Sequence, residues 1–124
     1  MAMTGVLRPA YIQIRVLDVD AALTHYVDRI GLNLVGRGDD GRVYLKGWDE
    51  FDRHSIILRP ADTPGMDFAG FKVATDGDLE VFGKRMRDWG VSVEEVPKDD
   101  LPGTGRRLCF TIPSGHRMEL VLCV

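Results

Sequence analysis

The sequence runs through one order of elements twice, and few folds accommodate that. Residues 11–17 alternate, with Ile12, Ile14 and Val16 on one side and Gln13 and Arg15 on the other, the pattern of a half-buried strand. Asp18 and Asp20 are the N-cap candidates of a following helix. Ala21, Ala22, Leu23, Tyr26, Val27 and Ile30 then recur at helical spacing until Gly31, where a glycine that tolerates positive φ stops the helix. Strands follow at 33–37, 43–48 and 54–59, the first two joined by the hairpin signal Gly38-Asp39-Asp40-Gly41. Residues 60–64 are turn chemistry. The second half repeats the series. A strand at 68–74 precedes a helix capped by Asp76 or Asp78 that carries Leu79, Phe82, Met86 and Trp89 and stops at Gly90. Strands at 91–96, 107–112 and 117–123 complete it, with a loop at 97–105 and a turn at Pro113-Ser114-Gly115. Gly31-Leu32-Asn33-Leu34-Val35 echoes Gly90-Val91-Ser92-Val93-Glu94, and Arg42-Val43-Tyr44-Leu45 echoes Arg107-Leu108-Cys109-Phe110.

A repeat of this kind decides the architecture. The expected fold is α+β: two tandem βαβββ modules, residues ~8–60 and ~65–124, related by a pseudo-twofold. Each module is a small curved sheet with a helix on one face. Together they form one incompletely closed sheet whose concave surface suits a small molecule. The plainer alternative is an α+β sandwich in which the echoes are chance.

Composition excludes several classes. The 124 residues make one domain, 1–124, with 44% apolar and 28% charged residues, close to average globular usage. No run approaches the ~18–20 apolar residues of a membrane span. Sixteen basic against nineteen acidic side chains give −3, which argues against a nucleic-acid footprint. Lys84-Arg85-Arg87 and Arg106-Arg107 are too short to reverse that. Cys109 and Cys123 form no C-x-x-C, and the N-terminus shows no signal peptide, so reduced thiols in a cytoplasmic protein are expected.

Along the chain stand Arg8-Pro9, the stretch Gln13 to Asp18, Ala22-Leu23-Thr24-His25-Tyr26-Val27, Gly31-Leu32, the stretch Gly41 to Lys46, Pro64-Gly65-Met66-Asp67-Phe68, Gly70-Phe71-Lys72-Val73, Pro113-Ser114-Gly115-His116 and Glu119-Leu120. In that order and spacing they resemble the vicinal-oxygen-chelate superfamily, and more closely the N-terminal domain of catechol 2,3-dioxygenases, the extradiol ring-cleavage enzymes. The resemblance covers nearly the whole chain. It implies two such domains in tandem in each polypeptide, with the catalytic Fe(II) only in the C-terminal one, held there by two histidines and a glutamate. Such a facial triad leaves iron positions open for catechol and O2.

Carried onto this chain, the superfamily's ligand positions fall at Tyr11, near Asp67–Phe68 at Phe68, and at Glu119. Only Glu119 is a ligand type, so the resemblance implies a vestigial site and no tightly bound iron in this half. Alternation turns Glu119 away from the side of Met118, Leu120 and Leu122, toward the concavity or toward water. His25 reads as a surface or helix-packing residue. His54 and His116 occupy similar places in the two modules, and a shared metal would need their strand ends to meet. Cys109 and Cys123 read as buried, inert thiols. Trp48, Phe51, Phe68, Phe71 and Trp89 read as core. Asp39-Asp40 and Asp99-Asp100 read as solvated turns.

The function implied is the N-terminal, non-catalytic domain of an enzyme of aromatic-compound degradation. Its partners are the catalytic C-terminal domain, catechol and O2 through that domain, and further copies in a homo-oligomer. The apolar C-terminal strand and the opening Met1-Ala2-Met3 fit a dissected chain. A different reading is a stand-alone dimeric small-molecule-binding protein of the same superfamily. A third is a glyoxalase-like enzyme with a metal site shared between subunits, against which Tyr11 and Phe68 argue.

Overall fold

The computed structural model describes residues 5–50, 54–98 and 104–123. It has eight strands in two groups of four: β1 Val6–Val16, β2 Asn33–Arg37, β3 Val43–Lys46, β4 Ile56–Pro60, β5 Gly65–Val73, β6 Glu94–Val96, β7 Thr104–Thr111 and β8 Arg117–Cys123. The helices are α1 Val19–Leu23, running on as a π-helical segment Thr24–Arg29, and α2 Asp76–Asp88. The order is βαβββ twice, as the repeat predicts. Two compact units separate by contacts, one spanning residues 11–67 and the other the N-terminal residues to 10 with residues 68 onward.

In the first unit β1 runs parallel to β4, β4 antiparallel to β3, and β3 antiparallel to β2. In the second, β5 runs parallel to β8, β8 antiparallel to β7, and β7 antiparallel to β6. The two topologies are the same, and so is the register. Val43 lies opposite Leu58 as Leu108 lies opposite Leu120, and Tyr44 lies opposite Ile57 as Cys109 lies opposite Glu119. The echo of Arg42-Val43-Tyr44-Leu45 in 107–110 is therefore a true structural equivalence.

Each core forms where strand alternation meets a helical stripe. Val43, Leu45 and Leu58 are buried and pack with Ile14, Val16, Ile56, Ala22, Leu23, Tyr26 and Val27. Val73, Leu79, Leu108 and Leu120 are buried in the second unit, with Phe71, Phe82, Met86 and Phe110 against them. Helix α2 comes close to its sheet at Gly83, where an added Cβ would sit 3.0 Å from Leu108 Cδ1.

Local chemistry explains the helix ends. The Asp18 carboxylate accepts from the Ala21 amide at 3.1 Å, as an N-cap should. Helix α2 departs from expectation: its N-cap is Thr75, not Asp76 or Asp78. Thr75 Oγ1 accepts from the Asp78 amide and the Asp78 carboxylate accepts from the Thr75 amide, a capping box that uses the aspartate three residues on. Asp76 and Asp78 instead put negative charge in the first turn, where the helix dipole favours it. In the first helix the Thr24 hydroxyl bonds back to the Asp20 carbonyl at 3.2 Å. Back-bonding of this kind loosens a helix, and the following turns widen to i→i+5 bonds such as Ile30 amide to His25 carbonyl. Gly31 and Gly90 end the two helices at φ 95° and 85°.

Several expectations are corrected. Strand β1 starts at Val6, five residues earlier than the alternation predicts, and β6 shrinks to three residues. Trp48 and Trp89 are not core: they are 87% and 84% exposed. Trp48 sits in the turn after β3, and Trp89 is the C-cap of α2 with ψ 1°, so it has left the helical stripe. Phe51 and Asp99-Asp100 lie outside the described residues, as does the Cys123 side chain.

Candidate functional site

In each unit, polar side chains lie on the strand face away from the helix, beside buried aliphatics such as Ile57 and Val121. On β1 the polar ones are Gln13 and Arg15, with Arg59 their neighbour on β4. They converge on Asp67, at the end of the first unit. Its carboxylate accepts from Gln13 Nε2 at 2.7 Å, Arg15 Nη1 at 2.9 Å, and Arg59 Nε and Nη2 at 2.7 and 3.1 Å. The Arg59 guanidinium first, then Gln13 and Arg15, hold this carboxyl far below the usual range, against the opposing effect of burial. The space for the Arg15 guanidinium comes from Gly65, where a Cβ would collide with it.

Tyr11, the first of the implied ligand positions, is 5% exposed and stacks on His54 with ring centroids 5.9 Å apart. His54 is 3% exposed and also meets the Tyr44 ring at 5.0 Å. It is a buried aromatic-cluster residue. His25 and His116 are exposed; His25 lies edge-on to Tyr26 and His116 Nδ1 is 2.7 Å from Ser114 Oγ in the β7–β8 turn.

The other two implied positions lie in the second unit. Phe68 is buried on β5, and Glu119 on β8 is 1% exposed. Burial of Glu119 disposes of the idea that it faces water. Its Oε1 accepts from Arg107 Nη1 at 2.9 Å, and the Cys109 thiol lies 3.1 Å from Oε2. Arg117 Nε is 3.9 Å from Oε2. Arg107 is itself 5% exposed, with its guanidinium carbon 5.6 Å from the Phe68 ring centroid. The residues at these positions do not fit an iron centre: a phenol stacked on imidazole, a phenyl ring, and a carboxylate already paired with arginine. Among the described residues, no three His, Cys, Asp or Glu side chains cluster as a metal requires. Arg107 and the Asp67 network are the functional-looking residues that sequence reasoning did not single out. The echo of Arg42 in Arg107 was the one available signal.

Burial, and then the hydrogen bond to Glu119, push the Cys109 thiol up to about 12. Thiolate is the reactive form. In a Cys123→Ser background, Cys109 is therefore expected to resist iodoacetamide at pH 8 in the folded chain and to react once urea unfolds it. Peptide mass mapping reads this; rapid native labelling would contradict it.

Comparison with known proteins shows what these features resemble. Residues 66–122 match the model of the catechol 2,3-dioxygenase-like N-terminal domain. The chain is 47% identical over 116 residues to a metapyrocatechase of Pseudomonas sp. (strain CF600), covering 94% of this chain and 38% of that one. It is 22% identical over 103 residues to a manganese-dependent 2,3-dihydroxybiphenyl 1,2-dioxygenase of Geobacillus genomosp. 3, over 83% of this chain and 32% of that one. The solved structure of the 2,3-dioxygenase LapB from Pseudomonas sp. KL28 superposes with a TM-score of 0.94 at 43% identity, over 98% of this chain and 42% of that one. The chain thus spans well under half the length of the relatives it matches. No described helix is long and apolar enough to cross a membrane. In sequence over residues 66–122, and in fold over nearly its whole length, the chain is similar to the catechol 2,3-dioxygenase-like N-terminal domain.

Proposed function

We propose that this chain is the N-terminal, non-catalytic half of a cytoplasmic extradiol dioxygenase that opens a catechol with O2 on an Fe(II) held by a C-terminal domain. The observation that carries the reading is 47% identity over 94% of this chain to a metapyrocatechase of which it covers only 38%. The residues at Tyr11, Phe68 and Glu119 support a division of labour. Tyr11 is packed on His54 in one unit, and in the other Glu119 is paired with Arg107 beside Phe68, so the metal work falls to the other half. Glu119 is then a ligand position turned to structural use.

The proposed partners are the catalytic domain, reached through the same polypeptide, and further copies in a homo-oligomer. The exposed Leu17, Ile30, Leu34, Trp48, Val81 and Trp89 side chains supply apolar surface for such contacts.

A catechol assay followed by absorbance tests the reading. The 124-residue chain loaded with Fe(II) under anaerobic conditions is expected to produce no yellow semialdehyde on admission of O2. A longer native polypeptide containing this segment is expected to produce it. Iron-dependent turnover by the short chain, or none by the long one, would overturn the proposal.

A further inference from the structure

Glu119 is an almost fully buried carboxylate at a position where the resemblance implies a metal ligand. A carboxylate so placed needs a compensating cation, because leaving a charge uncompensated in the interior is prohibitive. Arg107 lies 2.9 Å from Oε1, on the same sheet face. The β7–β8 register sets this up: Cys109 stands directly opposite Glu119, and Arg107, opposite Val121, is the diagonal neighbour.

The equivalent arginine in the first unit provides an internal control. By register Arg42 matches Arg107, Tyr44 matches Cys109 and Ile57 matches Glu119. With isoleucine where the carboxylate would stand, Arg42 turns to Asp40 in the neighbouring hairpin turn, 2.6 Å away, and stays 21% exposed against 6% for Arg107. Arg42 also reaches Gln13 Oε1 at 3.5 Å, but Arg107, with a carboxylate directly beside it, is the more deeply buried of the two.

We infer that Arg107 is the resident cation of this site, and that shortening it leaves a pocket beside Glu119 that binds a small planar cation, guanidinium itself. The inference rests on the reading of this half as non-catalytic. The pocket is shaped for a planar ion. The Phe68 ring lies beside the guanidinium at cation–π distance, and Glu119 Oε1 is the acceptor Arg107 now uses. A divalent metal has much less to hold it. Phe68 offers no donor atom, and a single carboxylate falls short of the three protein ligands a metal centre uses.

The test uses Arg107→Ala in the 124-residue chain, with thermal melts at constant ionic strength. Low-millimolar guanidinium chloride is compared with sodium chloride and tetramethylammonium chloride. Guanidinium is expected to raise the melting temperature of Arg107→Ala, by about 5 °C at ten times its Kd. It is expected to raise neither the wild type nor Arg107→Ala/Glu119→Gln. No rise, or an equal rise with tetramethylammonium, overturns the inference.

A charge-pair comparison covers the case in which Arg107→Ala does not fold. Arg107→Met/Glu119→Gln removes both charges at similar volume and is expected to melt above Arg107→Met alone. A double variant melting at or below the single one overturns the inference. Failure of the underlying reading is separately visible, as stoichiometric iron bound by the wild-type chain.

Discussion

Replacing Glu119 by alanine is expected to destabilise the chain by about 3–5 kcal/mol, the usual consequence of removing one member of a buried ion pair. Arg107 would keep its burial and lose the carboxylate 2.9 Å away. The Cys109 thiol would lose its acceptor as well. A loss of that size is a large share of the stability of a domain this long. Glu119→Gln keeps the side-chain volume and one acceptor oxygen, enough for Arg107 or the Cys109 thiol but not for both, and is expected to cost less than alanine. Urea denaturation at neutral pH, with the slope checked for two-state behaviour, measures both variants. A Glu119→Ala variant within about 0.5 kcal/mol of wild type would place it with ordinary surface changes and refute the buried-pair account.

The second large effect is at Asp67. Its carboxylate gathers Gln13, Arg15 and Arg59 from two strands, and its side chain is 14% exposed. Hydrogen bonds to a charged group contribute about 1.5–3 kcal/mol each at most. The partly exposed arginines reduce that, so Asp67→Ala is expected to cost about 2–3 kcal/mol. The pH dependence has a definite sign. The folded carboxyl ionises far below its ordinary range, while in the unfolded chain it titrates near ~4. The contribution is complete above ~4 and is progressively lost as pH falls toward the folded value. Wild type should therefore lose more stability between pH 5 and pH 2 than Asp67→Asn, by urea midpoints across that window. Parallel curves for the two proteins would contradict the network's role.

The repeat was legible because its signals are local. Period-two alternation in residues 11–17, the hairpin turn at 38–41, and the glycines at 31 and 90 each act within a few residues. What was not legible depends on contacts distant in sequence. The early start of β1 at Val6 leaves no alternation to read in Val6-Leu7-Arg8-Pro9-Ala10. Trp89 fits the helical stripe by count, but the chain departs from helical ψ at that residue. Thr75 was missed as a cap because two aspartates follow it, and only the geometry shows that one of them completes a capping box.

The same distinction holds at the site. The resemblance implies positions at Tyr11, Phe68 and Glu119, of which Phe68 and Glu119 lie within motifs that carry it and Tyr11 lies between two of them. The partner of Glu119 could not be placed that way. Arg107 is twelve residues away and meets it only because β7 and β8 pair in one particular register. Asp67 reaches Gln13 across 54 residues and Arg15 across 52. Neither interaction leaves a trace in local spacing.

The central claim is that this half of the protein neutralises its buried carboxylate with arginine and leaves the metal to the other half. Iron analysis tests it most directly. The 124-residue chain is incubated anaerobically with excess Fe(II), freed of unbound metal by gel filtration, and measured by elemental analysis alongside Glu119→Gln. The account predicts no retained iron above background in either protein. One iron per wild-type chain, lost in Glu119→Gln, would contradict it.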